Sequence, residues 1–137
     1  MKLFIILVCF VILLVSGCNS GGNGDGDNNA GSGGSGISGF WTGTGTYHLK
    51  NGSMTFTMNL NLNQSGTLVT GAYHIERPNR TMDGSISGTI SGSNIQMTFN
   101  PHGNATGTVG GGVMNLNFFE DWGGGDGLNA TISLGKQ

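Results

Sequence analysis

Met54-Thr55-Phe56-Thr57-Met58-Asn59-Leu60-Asn61-Leu62-Asn63 alternates apolar and polar residues without a break. A period of two places Met54, Phe56, Met58, Leu60 and Leu62 on one face and Thr and Asn on the other. That is the pattern of a half-buried β-strand and not of a helix. Asn51-Gly52, a strong two-residue hairpin signal, stands before it, and Ser65-Gly66 turns the chain after it. Connections this short require antiparallel neighbours.

The same period recurs on both sides. Upstream, Phe40 to Leu49 sets Trp41, Gly43, Gly45, Tyr47 and Leu49 against Thr42, Thr44, Thr46 and His48. Downstream, Thr67 to Ile75 sets Val69, Gly71, Tyr73 and Ile75 against Leu68, Thr70, Ala72 and His74. Glu76 to Asp83 (ERPNRTMD) reads as a polar loop around Pro78, followed by a short strand from Gly84 to Ile90. Next come a strand with Ile95, Met97 and Phe99 inward, a loop from Asn100 to Gly103 and a weak strand from Ala105 to Val109. Met114, Leu116 and Phe118 mark the seventh strand, Phe119 to Gly127 a long loop, and Leu128, Ala130, Ile132 and Leu134 the eighth. The fold class is therefore all-β, an eight-stranded antiparallel up-and-down meander. Such a meander closes most naturally into a barrel, because closure removes exposed sheet edges. At eight strands the interior is filled by side chains or holds one small ligand. Alternation alone also fits a transmembrane barrel with its faces exchanged. The short strands and the lack of aromatic girdles oppose that reading.

At the other end of the chain, Lys2 precedes an apolar run from Leu3 to Val15. The run is shorter than the ~20 apolar residues that span a bilayer as a helix, and it matches a secretory h-region. Val15-Ser16-Gly17-Cys18 resembles the lipobox of bacterial lipoproteins. That resemblance implies cleavage before Cys18, a diacylglycerol on its thiol, attachment to a membrane and a place in the cell envelope. Asn19, rather than Asp, after the cysteine favours the outer membrane where the cell has one. Three regions follow: a signal peptide (1–17), the lipidated Cys18 with a flexible linker (18–37), and the barrel (38–137). Residues 19–37 (NSGGNGDGDNNAGSGGSGI) have too little apolar surface to order themselves. At ~5–6 Å × √n their typical reach is roughly 20–25 Å. Asp25 to Asn29 begin like a calcium loop, but Ala30 and Gly36 stand where that loop needs Gly and Glu.

Composition removes several functions. Charged residues are 9% of the chain and the net charge is −2, so no basic patch points to nucleic acid. With Cys9 cleaved off and Cys18 acylated, no thiol remains for a disulfide or a metal. No nucleophile–base or HExxH pattern appears, so neither enzymatic activity nor a cofactor is expected. His48 and His74 read as surface residues, and Glu120, Asp121 and Asp126 as a solvated acidic turn; no metal is assigned.

Gly39-Phe40-Trp41, a Gly-x-Trp at the start of the first strand, resembles the calycin barrels (lipocalins, fatty-acid-binding proteins and avidins). The resemblance implies a barrel that binds a small, mostly apolar molecule. It also implies that Trp41 packs across a closed base under a basic residue of the last strand, here Lys136. In that reading Met54, Phe56, Met58, Tyr73, Met97, Met114 and Phe118 line the interior. In an up-and-down meander alternate loops share an end. Of nine charged residues after Gly39, eight then fall at the end away from the linker, and Lys136 is the exception. Tyr73, Arg77, Arg80, His102 and Trp122 are the candidate contacts there, for an apolar ligand in the barrel mouth. The alternative is a solid barrel whose loop end contacts a protein or an envelope polymer.

Overall fold

The structure, a computed structural model, describes residues 36–123 and 127–137. The expected signal peptide, Cys18, nearly all of the linker and Asp126 lie outside these residues.

Eight strands follow in order: β1 (Gly39–Leu49), β2 (Gly52–Ser65), β3 (Leu68–Arg77), β4 (Arg80–Ser91), β5 (Asn94–Asn100), β6 (Gly103–Gly110), β7 (Val113–Asp121) and β8 (Gly127–Lys136). Each pairs antiparallel with the next, and β1 pairs with β8, so the sheet closes into an up-and-down barrel. The stretch 54–63 lies within β2, where Phe56, Met58, Leu60 and Leu62 are buried and Met54 half-buried.

The inward positions of all eight strands form one core. Glycines shape it. At Gly45 an added Cβ would strike the ring of Phe56, its cross-strand partner, and at Gly84 it would strike Tyr73. Each aromatic ring thus lies in the space its partner glycine leaves, which lets large and small residues interdigitate. Tyr73, Phe99 and Phe118 then stack edge to face across the interior, with ring centroids 5.1 Å apart at each step.

The outer wall carries exposed Thr, Asn and Ser, among them Thr57, Asn61, Thr98, Asn117 and Ser133. A lipid-spanning barrel needs an apolar outer band, so the exchange of faces left open by alternation is resolved with the apolar side inward. At one end the hairpins turn at Gly66-Thr67, Gly92-Ser93 and Gly111-Gly112. Gly66, Gly92, Gly111 and Gly112 have φ of 61°, 58°, 59° and 78°. A left-handed residue there matches the right-handed twist of the flanking strands. At the other end the connections are Lys50-Asn51, Pro78-Asn79, Pro101-His102 and residues 122–126.

Four expectations change. Glu76 to Asp83 is not a loop: β3 runs to Arg77, β4 starts at Arg80, and Pro78-Asn79 alone makes the turn. The fourth strand is therefore 12 residues long, and Met82 is buried. Likewise Phe119, Glu120 and Asp121 belong to β7, which leaves 122–126 as the connection. The cause is common to both. Strand ends at a barrel rim face water on one side, so their composition is that of a loop. Leu49, expected inward, is exposed at the rim. In contrast, Ile37, the last residue of the expected linker, is buried in the core.

Candidate functional site

The base of the barrel is closed. Trp41 is buried, and its indole N–H donates to the Ile37 carbonyl at 2.8 Å. Lys136 Nζ sits 5.8 Å from the Trp41 ring centroid and donates to the Gly36 carbonyl at 2.7 Å. The basic residue implied by the Gly-x-Trp resemblance thus stands over the tryptophan.

The opposite end carries the chemistry. Glu120 is fully buried. It continues the inward parity of Met114, Leu116 and Phe118, so β7 itself aims the carboxylate into the barrel mouth. Arg77 follows Val69, Tyr73 and Ile75 on β3, and Tyr47 follows Trp41 on β1, by the same rule. The three meet. Tyr47 Oη donates to Glu120 Oε2 at 2.6 Å, and Arg77 Nη2 donates both to Glu120 Oε2 and to Tyr47 Oη, the latter at 2.7 Å. The guanidinium lies 4.5 Å from the Tyr47 ring centroid. Trp122 Nε1 donates to the other carboxylate oxygen, Oε1, at 2.9 Å. Both oxygens are therefore satisfied, the condition under which a buried carboxylate is tolerated. Arg77 Nε is buried without a partner. Burial, and then the neighbouring carboxylate of Glu120, push the Tyr47 hydroxyl far above its ordinary value, so it stays a neutral donor.

Around this plug lies a hollow of about 400 Å³ lined by Arg80, His102, Glu120, Asp121 and Trp122. The turn at Pro101-His102 is tied to β7 by the Asp121 N–H, which donates to the His102 carbonyl at 2.9 Å. His102 Nδ1 shares a hydrogen bond of 2.5 Å with Tyr73 Oη, which also donates to the Asn100 carbonyl at 3.2 Å. Burial, with Asp83 and Glu120 adding to it, raises the Tyr73 hydroxyl as well.

Of the five contacts expected from sequence, Arg80, His102 and Trp122 line one hollow. Arg77 and Tyr73 do not. The Arg77 side chain is 8% exposed and occupied by Glu120, and Tyr73 is a core residue engaged with His102. Reading charged residues as loop markers missed the inward Glu120, although the parity of Met114, Leu116 and Phe118 would have found it. Tyr47 falls on the face of Trp41 by period two, but nothing local to it names Glu120 and Arg77 as its partners. The interior residues expected to line a ligand, from Phe56 and Met58 to Met114 and Phe118, are packed against one another in the core. The three histidines stand apart: His48 lies near Thr131, His74 pairs with Asp83, and His102 pairs with Tyr73.

No protein-family model matches the chain, and no curated protein does. Among solved structures it is similar to Rv2717c from M. tuberculosis, with a TM-score of 0.48 and 11% identity. The match covers 74% of this chain and 92% of that one.

Proposed function

We propose that this chain is a lipid-anchored binding module of the bacterial cell envelope that engages a glycan polymer at its Trp122 end. The observation that supports it is the tryptophan itself. Trp122 is 58% exposed, yet its N–H is held by a buried carboxylate. The ring is a fixed, solvent-facing platform, and fixing a contact residue before binding lowers the cost of ordering it afterwards. Arg80, Asp121 and His102 stand beside it with donors and acceptors suited to sugar hydroxyls. A ligand held inside the barrel is the less favoured reading. It would have to displace packed aromatic residues and the Arg77–Glu120 plug above them.

The test uses the contrast between the two tryptophans, since Trp41 is buried and Trp122 exposed. Soluble fragments of envelope polysaccharide should change the Trp122 emission. Trp122→Ala should weaken binding at least ~10-fold at a temperature where the variant is still folded, its melting temperature falling only by the loss of the hydrogen bond to Glu120. Equal binding by Trp122→Ala, or copurification of a stoichiometric apolar molecule with the chain, would overturn the reading. Anchoring is checked separately. Radiolabelled palmitate should enter the chain in cells and not its Cys18→Ser variant.

A further inference from the structure

We infer that the other end of the barrel, where residues 18–37 join, is a docking face for the surface of a lipid bilayer. The inference rests on the anchoring of Cys18 proposed above and concerns a different surface from the Trp122 site.

Strands β1, β3, β5 and β7 all start at this end. Three of the four open with a large apolar side chain on the outer face: Phe40, Leu68 and Val113, exposed by 47%, 60% and 43%. Along the wall above them the outward residues are mostly Thr, Asn, Ser and Gln, with Ala72 among them and His48, His74, Glu76, Asp83 and Phe119 toward the far end. Among the described residues, the only other large exposed apolar side chains are Leu49 and Trp122, both at the opposite end. Phe40, Leu68 and Val113 stand on β1, β3 and β7, alternate strands of one half of the closed sheet, so they form an arc on the outer wall at this rim. Such an arc can dip into a flat partner when the barrel rests on this end.

At the same end lies a hollow of about 750 Å³ bordered by Ile37, Ile90, Val109 and the three glycine turns. Its rim carries the Thr67, Ser91 and Ser93 hydroxyls, which can meet lipid headgroups while the apolar residues reach below them.

Charge agrees with this orientation. Every acidic side chain among the described residues lies toward the far end, and Lys136 is the charged residue near this one. An anionic bilayer surface attracts the acid-free end and repels the other. Connectivity supplies the third argument, because the linker enters at Gly36, within this face. The Gly/Ser/Asn composition of residues 19–37 implies a reach of roughly 20–25 Å, which would hold the face near the membrane at an effective concentration of about millimolar. Three partly exposed apolar side chains therefore need only weak affinity to keep the barrel docked.

The test starts from a chain beginning at Cys18. It retains every ladder of the barrel, since these lie between Gly39 and Lys136. Its single thiol is coupled to a maleimide lipid in vesicles of phosphatidylcholine and phosphatidylglycerol. Amide exchange is compared with that of the uncoupled chain. Docking slows exchange at least ~10-fold in the turns at Gly66 to Leu68 and Gly110 to Val113, and leaves Pro78 to Arg80 unchanged. The triple variant Phe40→Ser, Leu68→Ser, Val113→Ser loses that protection. If it melts lower than the parent, Leu68→Ser alone serves, at the most exposed of the three positions. Protection at neither end, protection at the far end, or protection that survives the substitutions would overturn the inference. Because coupling supplies the anchor chemically, none of these results depends on whether Cys18 is acylated in cells.

Discussion

Glu120 is the residue on which the far end of the barrel turns. Its carboxylate accepts from Tyr47, Arg77 and Trp122, which come from two strands and a connection. Removing one partner of a buried ion pair strands the other, at a cost of about 3–5 kcal/mol. Glu120→Leu should therefore lower stability by that amount in urea unfolding. The double variant Glu120→Leu, Arg77→Met should recover most of it, because no charge is then left unpaired. Tyr47 gives a pH test. Its hydroxyl ionises at about 10.0 in the unfolded chain and well above that in the barrel. The folded state thus keeps a proton that the unfolded state has lost. The contribution is complete below pH 10 and falls as pH rises further, by up to ~1.4 kcal/mol per unit. The melting temperature of the wild type should drop more steeply above pH 10 than that of Tyr47→Phe. Equal slopes would assign the loss to other groups.

At the level of elements, the β3–β4 hairpin separates what composition implies from what pairing does. Glu76, Arg77, Pro78, Asn79 and Arg80 have the make-up of a loop. Yet His74 pairs with Asp83, Glu76 with Thr81 and Arg77 with Arg80, so all but Pro78 and Asn79 are strand. Backbone ladders do not depend on side-chain polarity, and the outward residues of a rim face water whether or not the backbone is paired. Met82 marks the difference. In a polar loop Met82→Ala would change stability by a few tenths of a kcal/mol. At its buried position on β4 it should cost about 2–5 kcal/mol, read from denaturant midpoints. Met82 shares its parity with Ile86 and Ile90, so extending the short strand backwards by period two would have exposed it in the sequence.

For the molecule as a whole, closure is the property no single strand encodes. The β1–β8 seam runs from Trp41↔Lys136 to Tyr47↔Ala130 and depends on Gly43. A Cβ at Gly43 would collide with the Ser133 carbonyl across the seam, whereas one at Gly135 would meet nothing within 4 Å. Gly43→Ala should therefore cost ~1–3 kcal/mol, as overpacking does. It should also loosen amide protection along β8 and promote edge-to-edge association, visible by gel filtration. Gly135→Ala should be neutral, or stabilising by ~0.4–1 kcal/mol through the less flexible unfolded chain.

The alternation in residues 54–63 and its echoes determined the strands, their inward faces, the antiparallel order and the end to which the charges go. Side-chain period and turn length are local properties, written in adjacent residues. The tertiary structure alone decided that Arg77 is consumed by Glu120 while Arg80, His102 and Trp122 remain available. It also decided that Phe40, Leu68 and Val113 share a rim. Glu120 lies 73 residues from Tyr47 and 43 from Arg77. Whether a charge is buried depends on which partner the closed barrel brings opposite it, and that partner is set by strand register across the whole sheet rather than by any neighbour in the chain.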